Sequence, residues 1–126
     1  MCGRVIRLAL TLVGVEVPAS VEIGPGLVLI HCTVGLVLHP NTTLGKNVVL
    51  FHNVTVGRSD PWLRGESRVV VEDGVVVGAG AVILAAGGQT IRIGRGSFIG
   101  ANSVVKKSIG RGETWAGNPA RRIRGG

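Results

Sequence analysis

The sequence predicts an all-β protein wound as a single-stranded parallel β-helix. Three observations carry this expectation. An aliphatic residue recurs at every sixth position, Gly and Asn keep fixed places behind it, and the interior must be built from Val, Leu and Ile. Of 126 residues 45% are hydrophobic, yet the only aromatics are two Phe and two Trp, while 21 residues are Gly. A chain this rich in aliphatics is not disordered. With five prolines and no three-residue glycine period it is not collagen either. At this length a single domain over residues 1–126 is expected.

Taken in order, residues 1–16 are expected to form a short N-terminal cap or a membrane-surface contact, because an open β-helix end exposes strand edges and apolar side chains. The apolar stretch from Val5 to Val15 is broken by Arg7 and falls short of the ~20 residues of a spanning helix. No small-x-small cleavage site follows it, so a cytoplasmic location is expected. Residues 17–110 hold the repeat: Val17, Ile23, Leu29; Leu38, Leu44, Leu50, Val56; Val71, Val77, Ile83; Ile93, Ile99, Val105. Behind the aliphatic stands Gly24, Gly45, Gly57, Gly78, Gly94 or Gly100. Three places after it stands Gly26, Asn41, Asn47, Asn53, Gly74, Gly80, Gly96 or Asn102. Gly and Asn tolerate positive φ at a sharp corner, and small residues let rungs stack at strand spacing, ~4.8 Å. The repeat is interrupted at 35–37, at 62–70 within a loop spanning 58–70, and at 89–92. Residues 111–126 read as a basic C-terminal tail.

Charge is distributed unevenly. Residues 1–90 hold equal numbers of basic and acidic side chains. Residues 91–126 hold Arg92, Arg95, Lys106, Lys107, Arg111, Arg121, Arg122 and Arg124 against Glu113 alone, so the net +7 belongs to that segment. The shortage of aromatics removes a stacking platform for single strands, and no helix-turn-helix or zinc-finger pattern appears, so no nucleic-acid partner is expected. A solvated face and a site for a small polyanion remain. Cys2 and Cys32 give neither a disulfide framework nor a metal spacing, which suits a reduced compartment.

The repeat columns, from about residue 15 to 124, resemble the hexapeptide-repeat acyltransferase family. Two segments are similar to its serine acetyltransferase-like branch: Ile23-Gly24-Pro25-Gly26 running to His31-Cys32-Thr33-Val34-Gly35-Leu36-Val37-Leu38, and the closing Ala116-Gly117-Asn118-Pro119-Ala120-Arg121. The resemblance implies a left-handed parallel β-helix of about four to five triangular coils, three hexapeptides to a coil. It also implies a homotrimer, acetyl-CoA as co-substrate and no metal.

Counting three units per coil puts the units of Leu29 and Leu50 on one face of successive coils. His31 and His52, each third in its unit, should then share a corner one rung apart. From the residues alone each is either a solvated corner histidine or a catalytic one. The resemblance makes His31 the general base, a role suited to a side chain that titrates near neutrality. His52 would neighbour it or bind the acceptor, with Arg64 and Arg68 of the loop on the substrate side. For acetyl-CoA, whose phosphates suit Lys and Arg, the matching positions are Gly80, Ala101, Asn102, Lys106, Lys107 and Arg121. Trp115 would cover the apolar end of the coil or stack on adenine, and His39 would cap the three-residue bulge. The three histidines, at gaps of eight and thirteen, do not match a zinc set, which needs three converging ligands.

Three departures mark the chain. Ile30 stands where serine-specific members carry an acidic residue before the histidine, Arg68 stands at a second histidine position, and the repeat begins by about residue 15 without a large helical region before it. These count against serine as acceptor, and by its length and polar loop the chain resembles the short transferases that acetylate sugar or polysaccharide hydroxyls. Serine O-acetyltransfer and a non-catalytic structural β-helix are the alternatives.

Overall fold

The computed structural model describes residue 12 and residues 14–125. The chain climbs a three-sided prism, laying one short strand on each face per turn. The first face holds β1 (Glu22–Ile23), β4 (Thr42–Leu44), β7 (Arg68–Val71) and β10 (Thr90–Ile93). The second holds β2 (Val28–Leu29), β5 (Val49–Leu50), β8 (Val76–Val77) and β11 (Phe98–Ile99), then β13 (Glu113–Gly117) and β14 (Ala120–Gly125). The third holds β3 (Val37–Leu38), β6 (Thr55–Arg58), β9 (Val82–Ala85) and β12 (Val104–Val105). Every rung pairs in parallel with the next except β13 and β14, which are antiparallel.

The six-residue period is the core. Leu38, Leu44, Leu50, Val56, Val71, Val77, Ile83, Ile93, Ile99 and Val105 are each no more than 2% exposed. Full burial of such a side chain contributes roughly 1.5–3 kcal/mol. Ile23 and Leu29, expected inside, remain 48% and 44% exposed, because they belong to the first rung and no described strand lies beneath them.

The corners obey the second column. Gly26, Asn47, Asn53, Gly74, Gly80, Gly96 and Asn102 all have positive φ. Asn41 does not, and works through its side chain instead, donating Nδ2–H to Ser67 O at 3.2 Å. Glycines directly behind the aliphatic have a different cause. A Cβ on Gly94 would stand 2.6 Å from the backbone of Gly110 and Arg111 on the next rung, and Gly24 and Gly78 are as tight, so these three admit no side chain, whereas Gly57 has nothing closer than 3.5 Å.

The expectation at the C-terminal end needs correction. The C-terminal segment is a hairpin rather than a tail: β14 folds back on β13, and Trp115, half-buried, packs against the core end. Of the N-terminal cap, residues 1–11 and 13 lie outside the described residues, while Glu16 already bridges to Val37 as part of the first coil. Among the described residues no helix is long and apolar enough to cross a membrane.

Candidate active site

The corner between the second and third faces carries both histidines. Leu29 stacks on Leu50, whereas Val37 stacks on Thr55, so the lower corner is three residues longer than the one above. The extra residues form a left-handed turn in Ile30–Thr33, where His31, Cys32 and Thr33 have φ of 54°, 54° and 42°. Left-handed backbone costs a side-chain-bearing residue roughly 1–2 kcal/mol, so this turn is strained. Spacing put the insertion at 35–37. The structure puts it before Gly35, since Asn53 N–H donates to Val34 O at 2.8 Å and returns the chain to register. Ile30 and Val34 in that corner stand outside the six-residue column, so the repeat count has nothing to locate the insertion by.

The result is a pair of imidazoles on adjacent rungs, their centroids 5.4 Å apart and their planes at 81°. His31 is exposed and His52 is partly buried. Nδ1 of His52 has no hydrogen-bond partner among the described residues, and neither has the buried Thr33 hydroxyl below it in the turn. Buried polar atoms left unpaired cost about 1–3 kcal/mol each. Upward from His52 the same corner position is filled by Ala79 and Ala101. Nothing larger than a methyl group stands over the histidines there. Gly80 N–H donates to His52 O at 3.0 Å and Asn102 N–H to Ala79 O at 2.8 Å, which ties the strip together.

The 58–70 loop stands on a different corner, between the third and first faces, and leaves the prism in the same coil as His52. One side chain organises it. The Arg58 guanidinium donates to the carbonyls of Asp60, Leu63 and Gly65, the last at 2.8 Å. Asp60 closes the loop from the other side, its carboxylate accepting from the N–H groups of Leu63 at 2.6 Å, Trp62 at 3.1 Å and Gly87 at 3.1 Å. The Leu63 N–H first, then those of Gly87 and Trp62 together with the Arg58 charge, hold the Asp60 carboxyl below its ordinary value against a smaller opposing effect of burial. The tip, Trp62, is 85% exposed, and Leu63 and Arg64 beside it are also exposed. Sequence reasoning missed Arg58 and Asp60. The Asp-Pro turn signal at Asp60-Pro61 was the available clue.

The remaining expected residues divide between corners. Gly80, Ala101 and Asn102 share the histidine corner. Lys106 and Lys107 share the loop corner with Arg64 and Arg68, and Arg121 lies on β14 opposite Ala116. A single chain therefore does not bring the two groups together. His39 caps no bulge: its Nδ1 accepts from Asn41 N–H at 3.1 Å and its carbonyl from the Thr42 hydroxyl at 2.7 Å, fixing the corner that follows β3. Trp115 donates Nε1–H to Glu113 at 3.1 Å, and Glu113 also accepts from Gly110 N–H and Arg122. Those contacts, the Trp115 bond foremost, hold the Glu113 carboxyl low. Among the described residues no three His, Cys, Asp or Glu converge as a metal set.

No family model matches the chain. Individual relatives do. The serine acetyltransferase of Helicobacter pylori is 35% identical over 117 residues, covering 93% of this chain and 65% of the relative. The soybean serine acetyltransferase apoenzyme superposes with a TM-score of 0.80 at 34% identity, covering 95% of this chain and 49% of that one. The Brucella abortus serine acetyltransferase in complex with coenzyme A superposes at 0.72 with 38% identity, covering 82% and 39%. The chain is a left-handed parallel β-helix similar in sequence and fold to serine acetyltransferases, which is consistent with the hexapeptide-repeat acyltransferase family. It spans less than two thirds of the length of these relatives.

Proposed function

We propose that this chain transfers an acetyl group from acetyl-CoA to a hydroxyl, with His31 as general base, in a homotrimer whose sites lie between subunits. The observation that carries this reading is the imidazole pair, 5.4 Å apart on a corner otherwise lined by small residues. His31 takes the hydroxyl proton as the oxygen attacks the thioester carbonyl. The tetrahedral intermediate collapses, the carbon–sulfur bond breaks, and the proton passes from the imidazolium to the leaving thiolate. The pantetheine arm runs along Gly80, Ala101 and Asn102, while Lys106, Lys107 and Arg121 take the phosphates.

Trimer formation would join the two halves. In a closed ring about an axis parallel to the prism, elements at equal height meet, and the loop leaves the coil that holds His52. One subunit's Arg64 and Arg68 would then face its neighbour's His31 and His52. Val37, Val82, Leu84 and Val104, incompletely buried on the intervening face, suit such a contact.

For the acceptor, the relatives favour serine, since those compared are named for it. None of these three relatives is named for the sugar acceptor that the chain's length and polar loop suggest. Coenzyme A release measured with serine against a panel of sugars decides between them. Acetyl-CoA at 100 times its dissociation constant should stabilise the fold by ~2.7 kcal/mol. No thermal shift and no release with any acceptor would leave the structural β-helix as the reading.

A further inference from the structure

The chain climbs the prism in order, so its charge asymmetry becomes a spatial one. The cations of residues 91–126 encircle a single end of the molecule. Arg95 and Arg111 stack at the corner between the first and second faces, Lys106 and Lys107 sit at the corner between the third and first, and Arg121 and Arg124 lie on the terminal strand of the second. All six are exposed, and none makes an ion pair among the described residues. The two pairs present engage Arg92 with Glu72 and Arg122 with Glu113. Between the arginines of the terminal strand Ile123 stands 66% exposed, at the point where the β13–β14 register shifts.

We propose that this end docks on an anionic lipid surface. The cations lie around the rim of an end rather than along a groove, so a planar polyanion can engage every side at once, whereas a single strand of nucleic acid would meet one. An isolated apolar side chain flanked by arginines suits the headgroup boundary of a bilayer. A second copy of the same end is excluded as partner by like charge. Attraction to an anionic leaflet rises by about 1 kcal/mol for each Lys or Arg near the surface and decays within a Debye length.

The test is co-sedimentation of the full chain with phosphatidylcholine vesicles, with and without about 30% phosphatidylglycerol. Binding is expected to the anionic vesicles alone at about 0.15 M salt and to be lost near 1 M. Arg111→Glu should weaken it by roughly 25-fold, at about fivefold for each of the two charges changed. Lys46→Glu is the control, because it makes the same charge change on the same corner but in the second coil, and it should leave binding within about twofold. Circular dichroism melts check that both variants fold. Failure to pellet with anionic vesicles at about 0.15 M salt, or equal losses from the two variants, overturns the proposal. So does binding to duplex DNA without binding to vesicles.

Discussion

Replacing Arg58 by Met tests whether the loop is a built part of the site. Met keeps an apolar stem and removes three hydrogen bonds, those to the carbonyls of Asp60, Leu63 and Gly65. The side chain is only partly buried, and the abandoned carbonyls can turn to water. Each bond is therefore discounted to ~0.5–1 kcal/mol, about 1.5–3 kcal/mol together. That stability is local, because β6 and β7 on either side remain paired in their sheets. The global melt should move little while the loop opens about 10- to 150-fold more often. Trypsin reads this directly, since Arg64 and Arg68 lie in the loop and cleavage of a transiently opened segment follows its open population. The Arg58→Met chain should be cut at Arg64 faster by that factor. Under the proposed acetyl transfer, its KM for the acceptor should rise while that for acetyl-CoA stays close to the parent value. An unchanged cleavage rate at Arg64 would mean that Arg58 does not hold the loop, and the account of the acceptor side would fall with it.

Three further outcomes are expected. His31→Ala should lower kcat by ~10²–10⁴-fold with acetyl-CoA binding retained, whereas His52→Ala should act mainly on the acceptor KM; steady-state kinetics with both substrates varied separates them. Gly94→Ala should destabilise by about 2–4 kcal/mol, since the new Cβ meets the backbone of the next rung and forces open the 2.8 Å bond from Gly94 N–H to Ile109 O. Gly96→Ala, with φ of 68° and nothing within 4 Å of its Cβ, should cost only about 1 kcal/mol; denaturant titration ranks the two, and equal effects would contradict the rung geometry. Because the Asp60 carboxyl is held low by the loop's N–H groups, its contribution is complete above the ordinary aspartate range and lost as pH falls through the depressed folded value. The Leu63 and Gly87 amide resonances should therefore shift together on acidification, and Asp60→Asn should loosen the loop at neutral pH.

How far the sequence could be read depended on whether a feature repeats. Leu50 and Val77 can be assigned to the interior because each is one instance of a column, and a column carries register from coil to coil. That register places His31 beneath His52 although neither residue says so by itself. The insertion beside His31 breaks the count within a corner whose aliphatics, Ile30 and Val34, stand outside the column, and spacing sets it a few residues late for that reason. The Arg58–Asp60 scaffold occurs once and joins residues 58 to 65 and 87 through backbone groups, which leave no compositional trace. The terminal hairpin was equally hidden, since Arg121, Arg122 and Arg124 look like a solvated tail until β14 is seen to complete a face. A solenoid thus makes its framework legible by repetition and conceals its chemistry in the exceptions. The one functional geometry that could be foreseen, the histidine pair, is the one in which two exceptions fall in the same column. The loop lies off that column and, in the proposed trimer, meets it only in a neighbour, so the acceptor's identity is the property least accessible from one chain.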